Sequence, residues 1–152
     1  MIAEVRTAPE QNAVIGSTWH TNHFYNKSPA MCSILSVQQL PSFGGDTHFA
    51  SMAAACDALS AGLRKMLQGL QAWHSDRSFS DSNVGLEKRL DAFRDPVLHP
   101  TIIKHPNTGV ACVYVNGDFT TQFEGWSREE SAPLLSYLYA FVIQAIFTAC
   151  VA

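Results

Sequence analysis

Two side chains near the start of the sequence have the types and the spacing of metal ligands. His20 and Asn22 are separated by one residue, and on a strand side chains two positions apart project from the same face. Iron(II) that activates oxygen is held by two imidazoles and one carboxylate on one face of an octahedron, with the opposite face left open. The pair is compatible with two adjacent metal ligands, with the neutral amide of Asn22 in the place of the carboxylate, but by itself it favours two ordinary polar residues.

A glycine-rich turn follows, with the sequence Gly44-Gly45-Asp46-Thr47. Glycines permit positive φ angles and a close approach of the backbone to a ligand, and the Thr47 hydroxyl can donate a hydrogen bond to a carboxylate. The turn favours a ligand site, and a simple β-turn capped by Asp46 is the alternative interpretation.

A zinc-dependent hydrolase is a second interpretation of these residues. It would use His20, His23 and a further histidine, but no carboxylate base stands at a fixed spacing from them. His23 is interpreted as a surface or packing histidine, and a partner behind a metal ligand is the alternative.

Composition and charge restrict the class of protein. With 152 residues, 47% of them hydrophobic and 15% charged, the chain suits one domain, 1–152, with one core. The net charge of −3 and the scattered Lys and Arg residues provide no basic surface for nucleic acid. Four cysteines without a CxxC pair predict reduced, buried thiols, and the charged residues within 1–15 argue against a signal peptide, so we expect a cytoplasmic protein.

Apolar periodicity and capping residues predict the elements that position these side chains. Strands are expected at 18–24, 31–38 and 47–50, and a hairpin at 101–104 and 110–115 around the turn 105–109. Ser51 caps a helix over 52–58, Ser60 caps a second to about Gly69, and Ser127 with Glu130 forms a capping box for a last helix from Arg128. The polar stretch 75–96 predicts a loop or lid with a short helix at 85–93.

The segment from Ala132 to Ala152 contains no charged residue. About 20 such residues could cross a bilayer, but polar residues interrupt the run and no basic cluster anchors it, so a membrane span is disfavoured. We expect a helix whose apolar faces pack against structure outside this chain, or that joins two copies in a homo-oligomer.

Motifs distributed along the chain resemble those of the taurine/2,4-dichlorophenoxyacetate dioxygenase (TauD/TfdA) family, in order from about Gly16 to Tyr139. They are Trp19-His20-Thr21, Pro29-Ala30, Leu40-Pro41-x-x-Gly44-Gly45-Asp46-Thr47, Ala50-Ser51-Met52, His99-Pro100, His105-Pro106-x-x-Gly109, Tyr114-Val115-Asn116, Phe119-Thr120-Thr121 and Ser127-x-Glu129-Glu130-Ser131.

The resemblance implies a fold, an activity and residue roles. The fold is mixed α+β and mainly β, a double-stranded β-helix (jelly roll) with helical insertions, here partial. The implied reaction uses Fe(II) and 2-oxoglutarate to hydroxylate a small organic acid, with release of succinate and CO2. His20 matches the first metal histidine and Asn22 the metal aspartate. Thr47 matches the contact to the 2-oxoglutarate carboxylate, and Phe119 matches an aromatic wall of the substrate pocket or is a plain core residue.

Three departures from the family pattern predict an impaired member. Asn22 removes an anionic ligand. The distal metal histidine and the 2-oxoglutarate-binding arginine of the family are expected beyond the last helix. His74, His99 and His105 do not match the position of that distal histidine, and His99 and His105 are interpreted as turn residues. The tail from about Gln144 is expected to depart from the family. The alternative function is a non-catalytic remnant that binds a partner.

Overall fold

The computed structural model of the chain describes residues 17–39, 41–76 and 94–151. Within these ranges the helices are α1 (Met52–Ala58), α2 (Ala61–Gln68), α3 (Arg128–Val142) and a 3-10 turn (Ala145–Phe147). The strands are β1 (Thr47–Ala50), β2 (Gln71–His74), β3 (Val97–Pro100), β4 (Ile102–Lys104), β5 (Ala111–Val113), β6 (Thr120–Phe123) and β7 (Thr148–Val151).

The strands form three small antiparallel sheets. β2 lies between β3 and β6, β4 pairs with β5, and β1 pairs with β7 so that Thr47 lies opposite Val151. The mixed α+β class is confirmed. The described helices contain more residues than the described strands, so the expected predominance of strand is wrong for this part of the chain.

The helices begin where the sequence places their caps. The Ser51 hydroxyl accepts a hydrogen bond from the Ala54 backbone N–H at 3.2 Å, and the Ser60 hydroxyl accepts one from Leu63 at 3.3 Å. Each bond satisfies a donor that the first helical turn leaves free. The hairpin of β4 and β5 also matches its prediction, with Ile102 opposite Val113.

One hydrophobic core joins the helices to the sheets. Its buried side chains are Ala55, Cys56, Leu59, Leu67, Ala72, Val113, Val115, Phe123, Leu135, Leu138, Val142 and Phe147. Leu135, Leu138 and Val142 belong to α3, so the expectation that this helix packs on structure outside the chain is wrong for its buried face. No helix among the described residues is long and apolar enough to span a membrane.

Two predicted strands near the site are loops in the structure. Residues 22–25 form a turn in which His23 has φ of 62°, in the left-handed region, so 18–24 cannot run as a straight strand. Residues 31–38 have strand-forming side chains but pair with no other described strand, and a strand requires a hydrogen-bonded neighbour.

Other expectations need correction as well. Of the four free cysteines, only Cys56 is buried, whereas Cys32 and Cys150 are exposed. His99 lies within β3 rather than in a turn. Most of the expected lid, including the helix at 85–93, lies outside the described residues.

Candidate metal centre

The imidazole of His20 is held in one tautomer by a backbone carbonyl. His20 lies in the loop before the turn at 22–25, and its Nδ1 is 2.8 Å from the carbonyl oxygen of Thr18. A carbonyl oxygen only accepts, so Nδ1 carries the proton. In the neutral ring, Nε2 then holds a lone pair, and no described group hydrogen-bonds to it. The atom has the chemistry of a metal ligand.

A carboxylate from a distant part of the chain supports this arrangement. The Thr18 hydroxyl donates a 2.6 Å hydrogen bond to Oδ2 of Asp118, and the same oxygen is 3.9 Å from Nδ1 of His20. Asp118 is itself fixed by a turn in which Oδ1 of Asn116 accepts from the backbone N–H groups of Asp118 at 3.1 Å and Phe119 at 2.9 Å. Asp118 and Thr18 were not predicted to act here, although Asn116-Gly117-Asp118 has the composition of such a turn.

Asn22 offers an amide oxygen. Its Nδ2 donates to the Ser33 hydroxyl at 2.9 Å, which leaves Oδ1 as the atom available to a cation. Because residues 22–25 form a turn, the prediction that His20 and Asn22 share one face of a strand is wrong. The two side chains hydrogen-bond to different partners, Thr18 and Ser33.

These donors fit part of an iron site. The imidazole nitrogen of His20 and the amide oxygen of Asn22 are donor types that Fe(II) accepts. Across residues 17–39, 41–76 and 94–151, no group of three or more His, Cys, Asp or Glu side chains is arranged to hold a metal. His20 and Asn22 are the candidate ligands in the described part of the chain.

Thr47 opens β1 directly after the glycine turn. Gly44 and Gly45 have φ angles of 76° and 87°, which disfavour any residue with a Cβ, and a Cβ at Gly45 would lie 3.3 Å from Cγ of Pro41. On the same strand, the His48 ring contacts the ring of Trp19, the neighbour of His20, edge to face with centroids 6.3 Å apart. This contact joins the glycine turn to the loop of the candidate ligands.

Phe119 lies beside His20. The residue is 4% exposed, and its ring lies edge to face with the imidazole of His20 and with the ring of Tyr25, with centroids 6.4 Å and 5.1 Å away. Phe119 also packs with Phe24 and Tyr114 in a small aromatic cluster. The structure thus brings together two of the four predicted site residues, His20 and Phe119.

A buried histidine next to this cluster escaped the sequence-based prediction. His74 is fully buried, its Nδ1 is 3.1 Å from Oγ1 of Thr120, and its ring is 5.5 Å from that of His99. Burial, and then the nearby His99, lowers the pKa of His74 to about 3. His99 is anchored in turn by a 2.9 Å contact between its Nε2 and the carbonyl oxygen of Asn26. The sequence held no clear signal for His74, because β2 has only four residues and its burial depends on tertiary packing.

Two surface clefts in the described part of the chain are lined by none of the predicted site residues. One described cleft is lined by Trp73, Pro96, Thr121, Gln122 and Arg128, and it includes none of the predicted site residues.

Comparison with known proteins places the chain in a family. The model of the taurine catabolism dioxygenase TauD, TfdA family matches residues 3–149. The match continues past Gln144, so the expectation that similarity ends there is wrong.

Individual relatives agree with this match. An alpha-ketoglutarate-dependent sulfonate dioxygenase of Saccharomyces cerevisiae is 33% identical over 82% of the chain and 30% of its own length. An (S)-phenoxypropionate/alpha-ketoglutarate-dioxygenase of Sphingobium herbicidovorans is 34% identical over 83% of the chain and 46% of its own length. The crystal structure of a taurine dioxygenase from Burkholderia xenovorans superposes with a TM-score of 0.61 and 28% identity, over 74% of this chain and 36% of that one.

The chain thus spans less than half the length of these relatives. The match nevertheless covers nearly all of its own residues and the fold agrees. The chain belongs to the taurine catabolism dioxygenase TauD, TfdA family.

Proposed function

We propose that this chain is part of a 2-oxoglutarate-dependent Fe(II) dioxygenase with a jelly-roll fold, acting in the cytoplasm. The observation that carries the proposal is the geometry at His20: Nδ1 is bonded to the Thr18 carbonyl, Nε2 is left as a ligand atom, and the ring of Phe119 lies alongside. Bound iron supplies oxygen activation coupled to decarboxylation of 2-oxoglutarate.

Each predicted site residue has a role in this proposal. His20 binds the iron through Nε2, and Asn22 contacts it through Oδ1. The Thr47 hydroxyl donates to a carboxylate of 2-oxoglutarate, and Phe119 forms an apolar wall that excludes water beside the metal. The substrate is a small organic acid that is hydroxylated with release of succinate and CO2. The names of the two dioxygenases above include a sulfonate and a phenoxypropionate, and both compounds are organic anions.

The proposal includes a weakened metal site. Replacing a carboxylate by an amide removes one charge from contact with a divalent cation, and a charge pair about 4 Å apart is worth about 4 kcal/mol at an effective dielectric constant of about 20. Iron binding, and with it turnover, is therefore expected to be low in this chain.

Anaerobic addition of Fe(II) and 2-oxoglutarate tests the proposal. We expect a weak visible charge-transfer band, together with succinate once oxygen is admitted, and we expect His20→Ala to abolish both. Absence of the band at saturating iron, in a folded sample, contradicts the proposal. It favours instead a non-catalytic family member that binds a partner, an alternative supported by the neutral amide of Asn22 at the position of the metal carboxylate.

Restoring the missing charge tests the role of Asn22. In Asn22→Asp, we expect affinity for Fe(II) to rise about tenfold or more, since a full carboxylate then faces the cation; tenfold corresponds to about 1.4 kcal/mol. Anaerobic titration with Fe(II) measures the change. Asn107→Asp adds the same charge at an exposed position of the β4–β5 turn and serves as the control. Equal affinities in the two variants would remove Asn22 from the metal site.

A further inference from the structure

We infer that Asp118 is a positioning residue that, through Thr18, sets the tautomer and orientation of the His20 imidazole. The inference rests on the proposed function in so far as His20 is an iron ligand, but the geometry that it explains is a property of the metal-free chain. The Asp118 carboxylate accepts a hydrogen bond from the Thr18 hydroxyl, and the Thr18 carbonyl oxygen accepts one from Nδ1–H of His20.

The first part of the argument is that Asp118 is rigidly placed. Asn116 is buried, and its backbone N–H donates to Oγ1 of Thr120 at 3.0 Å, at the first residue of β6. The side chain of Asn116 then closes the turn that holds Asp118 and Phe119. Asp118 thus projects from a turn that is hydrogen-bonded to itself and to the central three-stranded sheet.

The second part is that the loop of His20 needs such an anchor. Residues 17–21 belong to no strand or helix, so no sheet ladder fixes their backbone. The 2.6 Å hydrogen bond from Thr18 to Asp118 connects two points one hundred residues apart in the sequence. It holds in place the peptide whose carbonyl oxygen accepts from His20. Phe119, the residue after Asp118, packs against the edge of the imidazole.

The third part concerns electrostatics. The Asp118 carboxylate lies 3.9 Å from Nδ1 of His20, so its negative charge favours the proton on that nitrogen. A proton on Nδ1 leaves Nε2 as the lone-pair nitrogen, and a hydrogen-bond partner behind a ligating histidine typically changes metal affinity 10- to 100-fold. The effect of Asp118 on the metal is therefore exerted through the orientation and electron density of His20, without contact to the cation.

The experiment reads the tautomer directly in the metal-free chain. Long-range 15N–1H NMR spectra of the imidazoles, assigned with His20→Gln, distinguish Nδ1–H from Nε2–H rings. We expect the wild-type His20 ring to be mainly Nδ1–H, and we expect at least about a twofold loss of that form in Thr18→Val and in Asp118→Ala. Thr18→Ser retains the hydroxyl and should retain the tautomer. Asp57→Ala removes an exposed carboxylate elsewhere on the surface and should change nothing.

Fe(II) titration under anaerobic conditions gives the second readout. We expect Thr18→Val and Asp118→Ala to weaken binding by about 10- to 100-fold, and Thr18→Ser to bind as the wild type does. If Thr18→Val, folded by circular dichroism, keeps the wild-type tautomer, the inference is overturned; this conservative variant decides the matter even if Asp118→Ala does not fold. If the tautomer shifts in both variants while the wild type binds no iron, the positioning of His20 by Asp118 is supported and the proposed function is the part that fails.

Discussion

The fold strongly controls the protonation of His74. His74 packs among the rings of Phe24, His99 and Tyr114 and bonds to Oγ1 of Thr120. Burial removes the water that would stabilise an imidazolium, and the neighbouring His99 opposes a second positive charge. The folded chain therefore keeps His74 neutral at pH values where an unfolded chain protonates it.

This difference predicts acid-sensitive stability. The unfolded chain takes up a proton at His74 below the ordinary pKa of 6.5, whereas the folded chain takes it up only at about 3. The contribution to the free energy of unfolding is complete above the unfolded value. Between the two pKa values it falls by about 1.4 kcal/mol per pH unit as the pH is lowered. Urea unfolding of the wild type and of His74→Gln, from about pH 7 to about pH 4, measures it.

The comparison of the two proteins isolates His74 because the carboxylates contribute equally to both. The wild type should lose stability more steeply than His74→Gln over this range. Parallel curves would show that His74 has the same pKa folded and unfolded. A direct check is available from the carbon-bound ring protons of His74, whose NMR shifts should not titrate above about pH 4.

For individual residues, the sequence predicted which side chains could form the candidate site, but it did not predict where the fold places them. The spacing of His20 and Asn22 indicated a pair of ligands on one strand, and the structure puts both in loops. The left-handed backbone at His23 breaks the alternation on which the prediction depended. The partnership of Thr18 with Asp118 joins residues one hundred positions apart. Such contacts depend on tertiary packing, and no local pattern in one sequence encodes them.

Among the elements, α3 has a capped N-terminus and one face that packs on the core. Oγ of Ser127 accepts from the Glu130 backbone N–H at 3.2 Å, and the Glu130 carboxylate accepts from the Ser127 backbone N–H at 2.8 Å. The predicted capping box is thus confirmed, and both bonds satisfy donors that would otherwise be free. Leu135 and Leu138 of α3 are buried in the hydrophobic core.

Removing this cap should cost measurable stability. We expect Ser127→Ala to lower the free energy of unfolding by about 1 kcal/mol, since the Glu130 N–H loses its partner. Ser136→Ala makes the same chemical change at an exposed position in the middle of α3, and should stay within about 0.5 kcal/mol of the wild type. Urea denaturation with linear extrapolation compares the two variants. A loss of equal size at both positions would mean that the cap contributes nothing beyond helix propensity.

Elements with a local signal were predicted, and those that depend on partners were missed. Serine caps predicted α1, α2 and α3, and the turn at 105–109 predicted the hairpin of β4 and β5. The strands β2, β3, β6 and β7 have only four residues each, too few for alternation to distinguish a strand from a loop. The prediction for 31–38 was wrong in the opposite direction. Its residues favour a strand, but they pair with no strand in the described structure.

At the scale of the whole molecule, the segment 31–38, which pairs with no strand among the described residues, exposes apolar side chains. Ile34 is 91% exposed, Leu35 69% and Val37 63%, and exposed apolar residues in a row favour association with another surface. An extended segment with free backbone donors and acceptors can also pair with a second strand. The last helix was predicted to join two copies, but α3 buries Leu135, Leu138 and Val142 in the core. The segment 31–38 is therefore the stronger candidate for association.

These two surfaces can be told apart by matched charge substitutions. If copies associate through 31–38, Ile34→Asp should reduce the weight-average mass in sedimentation velocity toward that of a single chain, because a carboxylate cannot be buried unpaired in an apolar contact. Ile34 is almost fully exposed, so the folded chain itself should lose little stability. Tyr137→Asp introduces the same charge on the exposed side of α3, where Tyr137 is 50% exposed, and should leave the mass distribution unchanged. The reverse pattern would assign the association to α3, as the sequence predicted. A single-chain mass for the wild type at all concentrations would show that two copies associate through neither surface.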